Sequence, residues 1–279
     1  MKKLSHRLLL ASVSIISLFF AVKVAKNSQL FMPSEYKLIK NTVNKLAKNN
    51  DLGEREIGFL ITTGGTASYY ANDLGLCKRK NDELCAYYRF LDPFKKYPNP
   101  QDNEIIRLSY LSGPGYASAS SLGTVTITQN LFRIMEDKED RMVCTIAHEL
   151  AHILNLDTFK DSLRLNEEGK GLNKDKRKEL SSLIRRQSEK NADLFGQKMV
   201  LKAGYPAYTC VKDMKFLMEL RAIPKVTKLD THPPLLERFS TLMYSVENQQ
   251  DEISKEETKS TNLRWQYDRD LNLLKFIPI

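Results

Sequence analysis

Histidine is scarce in this chain, which narrows where any histidine chemistry can sit. Its 279 residues include four histidines and one tryptophan. Only one apolar run is long, Leu8 to Val22, so a protein with several membrane spans is excluded, since each span needs about 20 such residues. No cysteine lies near that run, which excludes a lipoprotein. The net charge of +9 comes without aromatics interleaved among the basic residues and without a nucleic-acid motif. DNA and RNA are therefore not the indicated partners. The densest basic stretch, Lys170 to Lys190, reads as a solvated loop near an anionic membrane surface.

What is present begins with Lys2, Lys3 and Arg7 ahead of Leu8–Val22, a charged n-region followed by an h-region. Residues 1–27 are expected to be a signal peptide or an N-terminal membrane anchor. Lys23 spoils the small-residue pattern that a signal peptidase needs, and by snorkelling it could extend the segment to Ala25 as a short anchor. Either way the bulk of the chain belongs outside the cytoplasm, periplasmic or held on the inner membrane facing the periplasm. The four cysteines then allow three pairings. Cys77 with Cys85 closes a short local loop, and Cys144 could pair with Cys210. Cys144 also lies one helical turn before His148, but as a ligand it would close the open position that a catalytic zinc keeps.

The stretch that organises the rest is Cys144 to Leu154, with His148-Glu149-Leu150-Ala151-His152 at its centre. Residues four apart share a helix face, so both imidazoles can reach one small cation while Glu149 flanks a water on it. This is how a zinc hydrolase places two ligands and a general base with one turn of helix. Ile146, Leu150, Ile153 and Leu154 supply the apolar surface that would hold the helix.

Around the motif the sequence predicts an amphipathic helix over Ser34–Asn50, a strand at Ile57–Thr62, and an irregular stretch from Thr66 to Asn103. Further strands are expected at Glu104–Leu111 and at Gly123–Thr128, the latter as a sheet edge. A short helix, Gln129–Met135, precedes the motif helix, which Asn155 and Asp157 end. A later helix, Leu180–Ala203, carries Glu189 and Asp193 four residues apart. One carboxylate could bind the metal and the other hold a ligand imidazole by its free N–H. Thr231-His232-Pro233-Pro234 precedes a helix from Leu235 to Tyr244. His232 is the rival third ligand, although a helix places a ligand more rigidly than a loop does. Residues 28–244 read as one domain, and 245–279 as a polar linker followed by a hairpin turning at Asp268–Asp270.

H-E-x-x-H, then E-x-x-A-D on a later helix, then Thr231-His232-Pro233-Pro234 with Arg238 resembles the gluzincin zinc metallopeptidases, the family of the CAAX prenyl endoprotease, HtpX and BepA. The resemblance covers roughly Ile57 to Tyr244 and fits the soluble, exported branch. It implies an α+β, zincin-like fold, mainly helical with a small mixed sheet. It also implies one zinc per chain on His148, His152 and Glu189, with Glu149 as general base and Asp193 orienting a ligand. His232 and Arg238 would lie near the fourth coordination position, steadying an oxyanion or gating access. The expected activity is zinc endopeptidase action on protein substrates, with unfolded or misassembled envelope proteins as the substrate class. A zinc-binding chaperone or adaptor is the alternative, and it would have no need of Glu149.

Overall fold

The computed structural model describes residues 32–78, 83–220, 230–255 and 259–279; the expected signal or anchor segment lies outside them. Helix α1 (Ser34–Ala47) forms as its spacing requires, burying Tyr36, Ile39, Val43 and Leu46 on one face. It packs on a five-stranded mixed sheet made of β1 (Ile57–Thr62), β2 (Ala117–Ala119), β3 (Thr124–Thr128), β4 (Leu263–Asp268) and β5 (Leu273–Pro278), in the order β2-β3-β1-β5-β4. β1 runs parallel to β3, with Phe59 opposite Val125, and antiparallel to β5, with Phe59 opposite Leu274. Nearly every β1 residue is buried, as a central strand covered on both faces requires.

The chain is mainly helical around this small mixed sheet, an α+β architecture of the zincin-like kind. The motif helix α6 (Glu139–Leu154) buries Ile146, Leu150 and Ile153 in the main core and opens with Glu139 and Asp140, which suit the positive end of the helix dipole. Against it lie α7 (Asp157–Glu168), α8 (Lys174–Lys202) and α9 (Thr209–Leu220), and α10 (Leu235–Lys255) packs on α8 and α9. Disulfides join Cys77 to Cys85 and Cys144 to Cys210, the second tying α6 to α9.

Several expectations need correction. Glu104–Leu111 is not a strand: it lies in helix α4 (Pro100–Leu111). Asn99 caps that helix by accepting a hydrogen bond from Gln101 N, and Pro100 occupies the first turn, where its missing N–H costs nothing. The stretch expected to be irregular contains α2 (Gly65–Asp73) and α3 (Glu83–Arg89). With α4 these surround a second small core that includes Ala67, Ala71, Tyr88 and Ile105. A short helix, α5 (Gln129–Ile134), follows β3 as expected. β3 is not an edge strand, because β2 covers it; β2 is the edge. The polar stretch from Ser245 continues α10 as far as Lys255. The hairpin after it enters the sheet itself through β5, where Phe276 packs under Trp265 with ring centroids 5.2 Å apart.

Candidate metal centre

His148 and His152 sit one turn apart on α6, and their Nε2 atoms approach to 3.1 Å. Glu189, from α8, brings its carboxylate to the same point. Its Oε2 lies 3.4 Å from His148 Nε2, and its Oε1 lies 3.6 Å from His152 Nε2. Donor atoms of these three residues all lie within 4.8 Å of one another. Ligands about 2.1 Å from a tetrahedral zinc stand roughly 3.4 Å apart, close to the spacing seen.

The backs of both imidazoles are engaged. Asp157 Oδ2 lies 2.7 Å from His152 Nδ1. Asp193 Oδ1 lies 3.0 Å from His148 Nδ1, a charge contact whose angle falls short of a hydrogen bond. With the Nδ1 protons on the carboxylate side, both Nε2 lone pairs face inward, beside a Glu189 Oε2 that is buried and unpartnered. An assembly made of acceptors alone is repulsive unless a cation or a proton sits within it. Accordingly, burial resists the charged form of His148, yet Asp193 and Glu189 outweigh it and push the imidazole up to about 10. The donor set and its unsatisfied oxygen fit zinc.

Three local features make this geometry possible. Gly196 follows Glu189 and Asp193 at helical spacing, and a Cβ there would stand 3.0 Å from His148 N and 3.1 Å from Ala147 C. The two helices therefore meet almost backbone to backbone at the first ligand. Leu156 adopts a left-handed conformation, φ 58°, which is costly for a residue with a branched side chain. That turn stops α6 and brings Asp157 back to His152. Finally, Arg186 Nε donates to Asp230 O at 2.9 Å, tying the Thr231–Pro234 loop to α8.

Glu149 is buried and lines the same open cavity, of about 850 Å³. Burial raises its carboxyl above the ordinary range, against the pull of His148 and His152. His232 also lines the cavity, with Nε2 3.3 Å from Glu189 Oε1 and a side chain 65% exposed. Arg238 reaches the cavity wall, but its guanidinium is paired twice with Asp193, Nη2 to Oδ1 at 2.6 Å and Nε to Oδ2 at 2.8 Å. Burial disfavours the Asp193 carboxylate, and Arg238 and His148 overcome this to hold it well below its usual range. Arg238 thus acts on His148 through Asp193.

The structure brings together His148, Glu149, His152, Glu189, Asp193, His232 and Arg238, all expected from the sequence, and adds Asp157 and Gly196 to them. A glycine inside a long helix costs about 1 kcal/mol relative to alanine, and that penalty was the readable sign of a close approach. Asp157 left no comparable sign beyond its place at the helix end.

The family model of peptidase family M48 matches residues 175–246, the stretch from the first turn of α8 through Glu189, Asp193, His232 and Arg238 into α10. No curated protein and no solved structure matches the chain.

Proposed function

We propose that the chain belongs to peptidase family M48, whose model matches residues 175–246, and that it is an exported zinc-dependent endopeptidase that cleaves unfolded or misassembled envelope proteins. The observation that carries the reading is the convergence of His148, His152 and Glu189 on one point inside a cavity that Glu149 also lines. Zinc held by those three residues would supply Lewis acidity, polarising a carbonyl and lowering the pKa of water toward neutrality. Glu149 takes a proton from the attacking water and returns it to the leaving amine. Its burial makes it a stronger base than a free carboxylate. Asp193 and Asp157 fix the two imidazoles by their Nδ1 atoms, and Arg238 keeps Asp193 ionised. His232, at the cavity mouth, is placed to steady a developing oxyanion or to gate access.

The edge strand supports a protein substrate. Ala117, Ser118 and Ala119 of β2 line the cavity, and one side of β2 has no neighbouring strand. An extended polypeptide could add to it through main-chain hydrogen bonds, which favours flexible or unfolded chains over folded ones. Export is supported by the charged and apolar residues 2–22. It is also supported by two disulfides, which persist in oxidising compartments. The periplasm, or the periplasmic face of the inner membrane, is the proposed location.

The test is zinc content and casein cleavage for the wild type and Glu149→Gln. Cleavage should fall on the order of 10²–10⁴-fold or more, with zinc retained by both proteins. Zinc bound by both with cleavage by neither would return the reading to a zinc-binding chaperone. Absence of stoichiometric zinc from both would overturn the metal centre.

A further inference from the structure

The segment between β1 and β2 is more than a connection. Residues 63–116 fold into α2, α3 and α4 around their own small core, with the Cys77–Cys85 disulfide inside it. This segment and the β2–β3 turn that follows also carry eight of the nineteen large hydrophobic side chains exposed among the described residues. Phe90 is 62% exposed and Tyr69 48%. A stable mini-core that presents aromatic side chains to water marks an interaction surface rather than a packing defect.

The surface is continuous with the cleft. Tyr116 lines the cavity and is itself exposed. Its hydroxyl accepts a hydrogen bond from Gly65 N, at the first turn of α2. Gly64 N donates to Arg89 O, so the residue before Phe90 lies beside that same turn. Tyr70, next to Tyr69, shares a 2.7 Å hydrogen bond with Ser112, which follows the exposed Leu111. Leu111, Tyr69, Phe90 and Tyr116 thus stand on segments that these bonds join around α2, and Tyr116 leads directly into β2.

We propose that this insert is a substrate-docking surface, which binds an apolar, aromatic-bearing segment of the polypeptide whose neighbouring residues lie along β2. The proposal rests on reading the cavity as a peptidase cleft. A strand paired with β2 and continuing past Tyr116 runs onto the patch, at about 3.3 Å per residue. Aromatic side chains offer contact area at small entropic cost and do not need a fixed sequence opposite them. The enzyme would thus select polypeptides by exposed apolar segments several residues away from the bond it cuts. Such segments are what an unfolded protein shows and a folded one hides.

The experiment separates docking from chemistry. In the Glu149→Gln background, binding of a dye-labelled unstructured peptide of about 20 residues, roughly 65 Å extended, is measured by anisotropy. One version carries Phe and Leu in one half, and the other carries Ser at those positions. Tyr69→Ser and Phe90→Ser, made singly at exposed positions, should each weaken the apolar peptide at least fivefold and leave the Ser version unchanged. With Glu149 intact, cleavage of a peptide of about six residues that fills only the cleft should keep its kcat/KM in both variants. Unchanged affinity for the apolar peptide would overturn the proposal. So would a wild-type dimer that Phe90→Ser dissociates without changing peptide affinity, because the surface would then belong to a second copy. If the wild type cuts neither peptide while binding still follows Tyr69 and Phe90, the docking surface stands and the endopeptidase reading falls.

Discussion

Around His148 the polar groups are engaged by distant parts of the chain, whereas the insert from Thr63 to Tyr116 holds itself together locally. Asp193 stands between His148 of α6 and Arg238 of α10, and Asp157 returns from α7 to His152. The Cys144–Cys210 bridge spans 66 positions of sequence, against 8 for Cys77–Cys85. The metal side is a meeting of elements, and each loses its function if the others move. The insert is a module joined to β1 and β2 at its two ends and held to α5 by hydrogen bonds that Asn130 and Arg133 donate to the carbonyls of Ser112, Gly113 and Tyr110. Alteration of the first should abolish chemistry, while alteration of the second should change what is chosen for it.

The two disulfides sharpen that contrast most. Loop-closure entropy predicts a loss of about 4 kcal/mol for Cys144→Ser with Cys210→Ser, and about 2–3 kcal/mol for Cys77→Ser with Cys85→Ser. The first pair should lower the melting temperature of the whole protein and its zinc retention. The second should speed amide exchange in α2 to α4 and leave α6 protected. Equal loss of α6 protection in both would show that the insert is no module.

Two glycines make a smaller comparison. Gly196→Ala drives a methyl against the backbone of His148 and should cost about 1–3 kcal/mol, with weaker zinc binding on titration against a chelator. Gly65→Ala, in the insert, meets nothing within 4 Å and should change stability by no more than about 0.5 kcal/mol. A harmless Gly196→Ala would mean that the helices are not pressed together at the first ligand.

The last effect concerns pH. Burial pushes the Asp213 carboxyl of α9 up to about 7, against the pull of Arg141 and Arg238 and with a push from Asp140. A carboxyl raised by folding draws protons into the folded state. Its penalty is absent below about pH 4, grows as pH rises and is complete above about 7. Urea melts should find Asp213→Asn close to the wild type at pH 4 and more stable than it at pH 8. A variant less stable at pH 8 would show that the charged form is favoured in the fold.

Local pattern carried the site further than it carried the fold. His148, Glu149 and His152 were legible because helix periodicity alone sets their geometry, and Glu189 with Asp193 because the same periodicity recurs on α8. Asp157 was not, since its role depends on the left-handed turn at Leu156, which nothing in the side chain announces. Glu104–Leu111 reads as a strand when taken alone, but it belongs to a helix that Asn99 caps and Pro100 opens. β2 has only three residues, all small, and is a strand only because β3 lies beside it. The hairpin was visible as a hairpin, but its place at β1 follows from the pairing of Ile57 with Phe276, a long-range fact that no local window contains.

That pairing has a consequence for the order of assembly. Chains are made from the amino terminus onward, and β5 is the last of the described elements to appear, although it is the neighbour of β1. While the chain is still being made, Tyr36 lacks its bond to Asn272 and Phe59 lacks its cover from Leu274 and Phe276. The metal ligands have all emerged by then, yet the sheet beneath their helices is open on one side. The sheet that carries the metal-binding candidates is therefore closed only when this last strand joins β1.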